Sequence, residues 1–208
     1  MIAAHLKYAA RTSPWGAILV TAVPAIVLSV VVAAYPTMGP GPAAWVVRGI
    51  GAIVFVPVTL SFDDPALPLL AATPRSPAVP RMLRALVAVA VGFAVFVVAL
   101  MLSDAAFRTL PDPSATLTGL AFEAPALVGL AFASVGLAVF ATRATTPGAV
   151  ASSIYVAILA VGLVSNAAVG WWPPVEQVAP GIDIPDALAF TAAVVVAAKS
   201  AGNRSGRG

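Results

Sequence analysis

Six long apolar stretches, separated by short polar or proline-rich segments, organise the chain. A helix needs about 20 mostly apolar residues, rising 1.5 Å each, to cross the hydrocarbon core of a bilayer. Trp15 to Tyr35 is the first such run, closed by Pro36 and the turn-rich Gly39-Pro40-Gly41-Pro42. Ala43 to Phe62 follows, interrupted by Arg48, then Met82 to Ser103, with no charge in its second half until Asp104. Leu117 to Ala141 carries Glu123 near its start, and Pro147 to Ala168 is the fifth run. Pro185 to Ala198 is short, so local thinning or tilted neighbours must accommodate it. The pattern predicts an all-α membrane protein with transmembrane helices at 15–35, 43–62, 82–103, 117–141, 147–168 and 185–198.

Charge distribution sets the expected orientation. With the N-terminus in the cytoplasm, the cytoplasmic segments hold Lys7, Arg11, Arg75, Arg81, Arg84, Arg143, Lys199, Arg204 and Arg207. These are nine of the 11 basic residues, leaving Arg48 and Arg108 outside. Acids run the other way: Asp104, Asp112, Glu123, Glu176, Asp183 and Asp186 fall at or beyond the outer interface, and Asp63 and Asp64 inside. Basic residues concentrate on the cytoplasmic side of membrane proteins. An odd number of spans would carry the basic tail 199–208 to the wrong side, so six spans with both termini cytoplasmic are expected.

Composition agrees. The chain is 61% hydrophobic and 9% charged, against about 25% charged for a soluble domain. The net charge of +3 is thus a topology signal, and nucleic acid is not an expected partner; the lipid bilayer is. With no cysteine, thiol chemistry is excluded. The apolar run after Arg11 is too long for a signal peptide and lacks a small-residue cleavage site. The plasma membrane is the expected location.

Three segments between the spans are informative. In 1–13, Ile2, Leu6 and Ala10 share a helical stripe away from Lys7 and Arg11, the pattern of an interfacial helix; a frayed tail is the alternative. In the cytoplasmic loop 63–80, Asp64 then Pro65 reads as a helix cap followed by proline at the first helical position. Leu67, Leu69 and Leu70 occupy the two turns that follow, with Pro68 loosening the first, and Thr73-Pro74 stops the helix. Arg75 to Pro80 is stiff and extended. An apolar helix on a proline-braced loop suggests a docking surface, or an element folded against the bilayer interface. In the external segment 170–184, Trp171-Trp172-Pro173-Pro174 fits either a re-entrant hairpin or an aromatic anchor on the outer leaflet.

Candidate chemistry is sparse. His5 is the only histidine, so no histidine-based triad or metal cluster can form. No glycine-rich phosphate loop ending in Gly-Lys-Ser/Thr is present, so the chain does not hydrolyse ATP by itself and is expected not to be an enzyme. Asp63-Asp64 looks like a carboxylate pair, but Asp64 is better explained as a cap. Ionisable groups within spans are functional suspects. Arg48 lies near the outer end of its span and can snorkel to the headgroups. Glu123, just before Pro125, is placed to accept a bond from Arg48 or from Arg108. Their pairing is either structural or a substrate or proton contact. Asn166 with Ser165, and Ser152 with Ser153, mark the two ends of the fifth span, where such groups commonly bond across helices. Gly129, Ala133 and Gly136 permit close packing of the fourth.

The order of these parts resembles the permease subunit of type-2 ABC exporters, the short six-span class. Phe62-Asp63-Asp64-Pro65-Ala66 with Leu69-Leu70-Ala71-Ala72-Thr73-Pro74 is similar to coupling loops of small actinobacterial members. The resemblance implies a connecting helix at 1–13 and a docking helix spanning Asp64 to Thr73, with Asp64, Pro65, Leu67, Leu69, Leu70, Thr73 and Arg75 meeting an ATPase. It implies a separate ATPase holding ATP and Mg, a second permease chain (the same or different), and a path near spans two and five for an amphipathic or lipid-like cargo. The chain itself would bind no cofactor. Two other classes share the composition: a non-transporting scaffold or accessory subunit, and a secondary transporter. The latter expects paired intramembrane charges or repeated halves, and spans one to three show no repeat in four to six.

Overall fold

The computed structural model describes residues 11–63, 78–142 and 147–169 as helices and their connections. Trp15–Ala34 forms helix α1, its Pro24 tolerated within the run. Its two hydroxyls stay on their own helix: Ser29 donates to the Ala25 carbonyl at 2.7 Å and Thr21 to that of Ala17 at 3.0 Å. That removes the cost of a bare polar group in hydrocarbon. Ile18, Ala25, Ser29 and Val32 form its single buried stripe. After a 3₁₀ turn at Pro36–Met38, Gly39 takes φ +79°, a conformation other residues adopt only with strain. Helix α2, Pro40–Val54, starts directly on Pro40. The expected turn Gly39-Pro40-Gly41-Pro42 is therefore mostly the first helical turn, where a proline loses nothing because that N–H has no partner.

The second span is not one helix. It breaks at Phe55, whose φ −96° and ψ −4° lie in the sparsely populated bridge region, and resumes as α3, Val56–Leu60. Pro57 supplies the cause: it has no N–H for the carbonyl of Ile53, and its ring crowds that carbonyl. Helix α4 runs Ala78–Phe107, α5 runs Pro113–Thr142 around Pro125, and α6 runs Gly148–Val169. Spans three and four thus extend several residues beyond the expected 82–103 and 117–141. In α5 the signal was Asp112-Pro113: Asp112 accepts from the Ala115 N–H at 2.9 Å, with proline at the first helical position.

Helix α4 packs against α1, α2, α3 and α5, while α6 packs against α3 and α5. The break in span two sits against α4: a Cβ at Gly92 would lie 3.0 Å from the Phe55 ring and 3.1 Å from the Val54 carbonyl oxygen. Phe55 meets Phe93 edge-on at 5.3 Å, and Gly51 similarly admits Phe96 and Leu127. Among the described residues, four helices are long and apolar enough to cross a membrane: Trp15–Ala34, Pro40–Leu60, Val79–Phe107 and Pro113–Ala141. The apolar α6 follows, with side chains described to Val161. This is a multi-pass helical membrane protein. Among the described residues 61% of the Pro40–Leu60 span and 56% of Pro113–Ala141 are buried, against 22% of Trp15–Ala34, so spans two and four are interior and α1 is peripheral. The docking residues Asp64, Pro65, Leu67, Leu69, Leu70, Thr73 and Arg75 lie outside the described residues. So do residues 1–10, the external segment 170–184, the sixth run at 185–198 and the tail.

Candidate functional site

Two polar clusters interrupt the apolar interior, one towards each end of span two. In the first, α2 and α5 carry Arg48 and Glu123 to a common level. The Arg48 Nη2 donates to Glu123 Oε1 at 2.8 Å, and Nε donates to Oε1 and Oε2 at 3.1 Å each. Arg48 is 3% exposed. One turn earlier on α2, the Trp45 ring lies 5.3 Å from the guanidinium carbon, a cation–π contact that spreads the charge further. Arg48 therefore does not snorkel to the headgroups: its short route to a carboxylate inside the bundle wins over the longer one to water. Of the two expected partners for Glu123, the structure selects Arg48. Arg108, just past the end of α4, instead meets Asp104 in that helix's last turn, at 3.0 Å and largely exposed.

The second cluster joins the other end of span two to the start of α6. Asp63 leaves α3 with its carboxylate aimed at the first turn of α6. Oδ1 accepts from the Gly148 N–H at 2.6 Å and Oδ2 from the Ala149 N–H at 3.1 Å. A helix start leaves N–H groups without intrahelical partners and a partial positive charge, and a carboxylate answers both. A Cβ at 148 would approach the Asp63 carboxylate to 2.6 Å, so glycine there lets the carboxylate sit this close to the helix start. One turn deeper, the hydroxyls of Thr59 and Ser152 meet at 2.6 Å. Each also reaches a carbonyl of its own helix, Val56 and Gly148. With one proton apiece, one hydroxyl donates across the helices while the other keeps its carbonyl. Deeper still, the Tyr155 hydroxyl, fully buried, donates to the Ala52 carbonyl at 3.0 Å. Ala52 belongs to the last turn of α2, whose carbonyls lack donors of their own.

Of Ser152 and Ser153, both expected to bond across helices, Ser152 does so, while Ser153 bonds back to Ala149 of its own helix at 3.1 Å. Asn166 lies in the final turn of α6, far along the chain from the pair at Arg48. Asp63, Thr59, Gly148 and Tyr155 were not foreseen as members of one site. Nothing in the sequence around Gly148 calls for a carboxylate 85 residues away. Among the described residues no group of three or more metal-ligating side chains gathers. An open groove of about 460 Å³ runs along α6 past Ser152, Ser153, Val156, Ala157 and Ala160, too shallow to enclose a ligand. Comparison with protein-family models, curated proteins and solved structures finds no match to the chain.

Proposed function

We propose that the chain is the transmembrane permease subunit of an ABC transporter, crossing the plasma membrane six times with both termini in the cytoplasm. It exports an amphipathic or lipid-like substrate, using ATP hydrolysed by a separate ATPase. The observation that carries this reading is the tie between Asp63 and the first turn of α6. Asp63 is the last described residue before the loop expected to dock on the ATPase. A pull on that loop is delivered to the end of span two and, through two hydrogen bonds, to the start of span five. A partner-driven permease needs such a transfer, and a passive scaffold does not.

In the mechanism, ATP and Mg stay on the ATPase, and this chain contributes the docking helix around Leu67, Leu69 and Leu70 and the helices it moves. The lining of a transport path comes from this chain and a second permease chain. Affinity purification in mild detergent is expected to recover a P-loop ATPase; recovery of the chain alone overturns the reading. The intramembrane Arg48–Glu123 pair favours a second reading, a secondary transporter, because paired charges within spans mark ion-coupled pathways. Uptake into vesicles driven by a pH gradient without ATP separates the two.

A further inference from the structure

The polar ties of the two halves of span two run to different helices, although both halves also pack on α4 and α5. Above the break, α2 is held to α5 by the three contacts of Arg48 with Glu123. Below it, Thr59 and Asp63 hold the inner end to α6. The backbone between is the weakest point of the span. Phe55 sits in the bridge region, Pro57 withholds an N–H, and the first bond beyond the break is the Val58 N–H to the Phe55 carbonyl at 3.1 Å. Hinges are found at element ends that absorb φ/ψ change. Apolar packing of α3 on α5 and α4 crosses this level, and two specific contacts do as well. Tyr155 bonds Ala52, three residues from Phe55, and so acts close to the pivot, where rotation displaces it least. Phe62 meets Phe132 of α5 edge-on at 5.9 Å, an apolar contact without the directional demand of a hydrogen bond. On the α4 side, Gly92 presents no Cβ to the Phe55 ring.

We propose that Phe55–Pro57 is a hinge dividing span two into an outer arm that moves with α5 and an inner arm, Val56 to Asp63, that moves with α6. The use of this hinge to transmit motion from the ATPase rests on the transporter reading above. Its existence does not, and it is testable on the chain alone without nucleotide.

The chain contains no cysteine, so introduced cysteines give unique spin-label positions. Three double variants are reconstituted in lipid nanodiscs: Leu60→Cys with Val150→Cys across the inner arm and α6, Gly49→Cys with Thr118→Cys across the outer arm and α5, and Gly49→Cys with Val150→Cys across the hinge. Pulsed electron–electron resonance is expected to give narrow distance distributions for the first two pairs and one about twice as wide for the third. Pro57→Ala restores the missing N–H and is expected to narrow the third distribution alone. Gly92→Ala, whose Cβ would press on the Phe55 ring at 3.0 Å and on the Val54 carbonyl oxygen at 3.1 Å, is expected to shift the third distribution alone if Pro57→Ala folds poorly. A third distribution as narrow as the others, or an inner-arm pair as wide as the third, overturns the hinge. Either result leaves the ATPase pull-down to decide the transporter reading separately.

Discussion

Asp63 caps a helix that begins 85 residues away: its two carboxylate oxygens take the N–H groups of Gly148 and Ala149, at 2.6 and 3.1 Å. Losing a side-chain cap costs about 0.5–2 kcal/mol of stability. Asp63→Ala is expected to lower the thermal unfolding midpoint in detergent accordingly. Gly148→Ala should do so too, because its Cβ displaces the carboxylate. The double variant distinguishes this from two unrelated defects. Once Asp63 is alanine the collision is gone and alanine is the better helix former, so Gly148→Ala becomes neutral or stabilising. Additive losses contradict the geometry.

Arg48 and Glu123 form a buried pair, and the two ways of disturbing it differ in size. Removing one partner strands a charge and costs about 3–5 kcal/mol, whereas replacing both with apolar residues of similar volume is often neutral. Glu123→Leu is therefore expected to be severely destabilising, and Arg48→Met with Glu123→Leu to recover most of the loss, read by thermal unfolding. If the double variant is stable yet inactive in transport, the pair serves transport as well as packing.

Tyr155→Phe tests the contact nearest the break. Cross-helix hydrogen bonds within membranes average about 0.6 kcal/mol. The phenyl ring keeps the packing, so a loss of this order in unfolding free energy is expected. A loss of several kcal/mol would mean that the Ala52 carbonyl finds no other donor.

Outside the spans, Asp112 gives a pH dependence. The Ala115 N–H and the Ser114 hydroxyl hold its carboxyl below the ordinary aspartate value. A depressed folded-state pKa contributes stability that is present above the unfolded pKa and lost as pH falls through the lower folded value. Asp112→Asn keeps a capping oxygen without the charge. The stability gap between wild type and Asp112→Asn is expected to hold at neutral pH and to close only at pH below the ordinary carboxylate range. A gap independent of pH contradicts the assignment.

What was legible in the chain was the helices, because apolar length alone specifies them. The interior partners were legible only where chemistry forced them. Arg48 and Glu123 were readable as a pair since neither tolerates hydrocarbon alone. Pro57 stood in plain sight, but an apolar window has no means of registering a missing N–H, so span two read as one helix. The same signature of acid then proline marks Asp64-Pro65 and Asp112-Pro113; the sequence reading uses it at the first, and the structure shows it at the second. The meeting of Asp63 with Gly148 was not legible at all. It depends on which helices are neighbours, which six similar apolar runs do not encode.

The transporter account is tested most directly at the loop beyond Asp63. Leu69→Asp with Leu70→Asp places two charges on the expected docking helix. Affinity purification from membranes is expected to recover the ATPase with wild type and to lose it with this variant, while both chains insert and unfold at the same temperature. An ATPase still bound to the Leu69→Asp, Leu70→Asp chain, or no ATPase with wild type, contradicts the account.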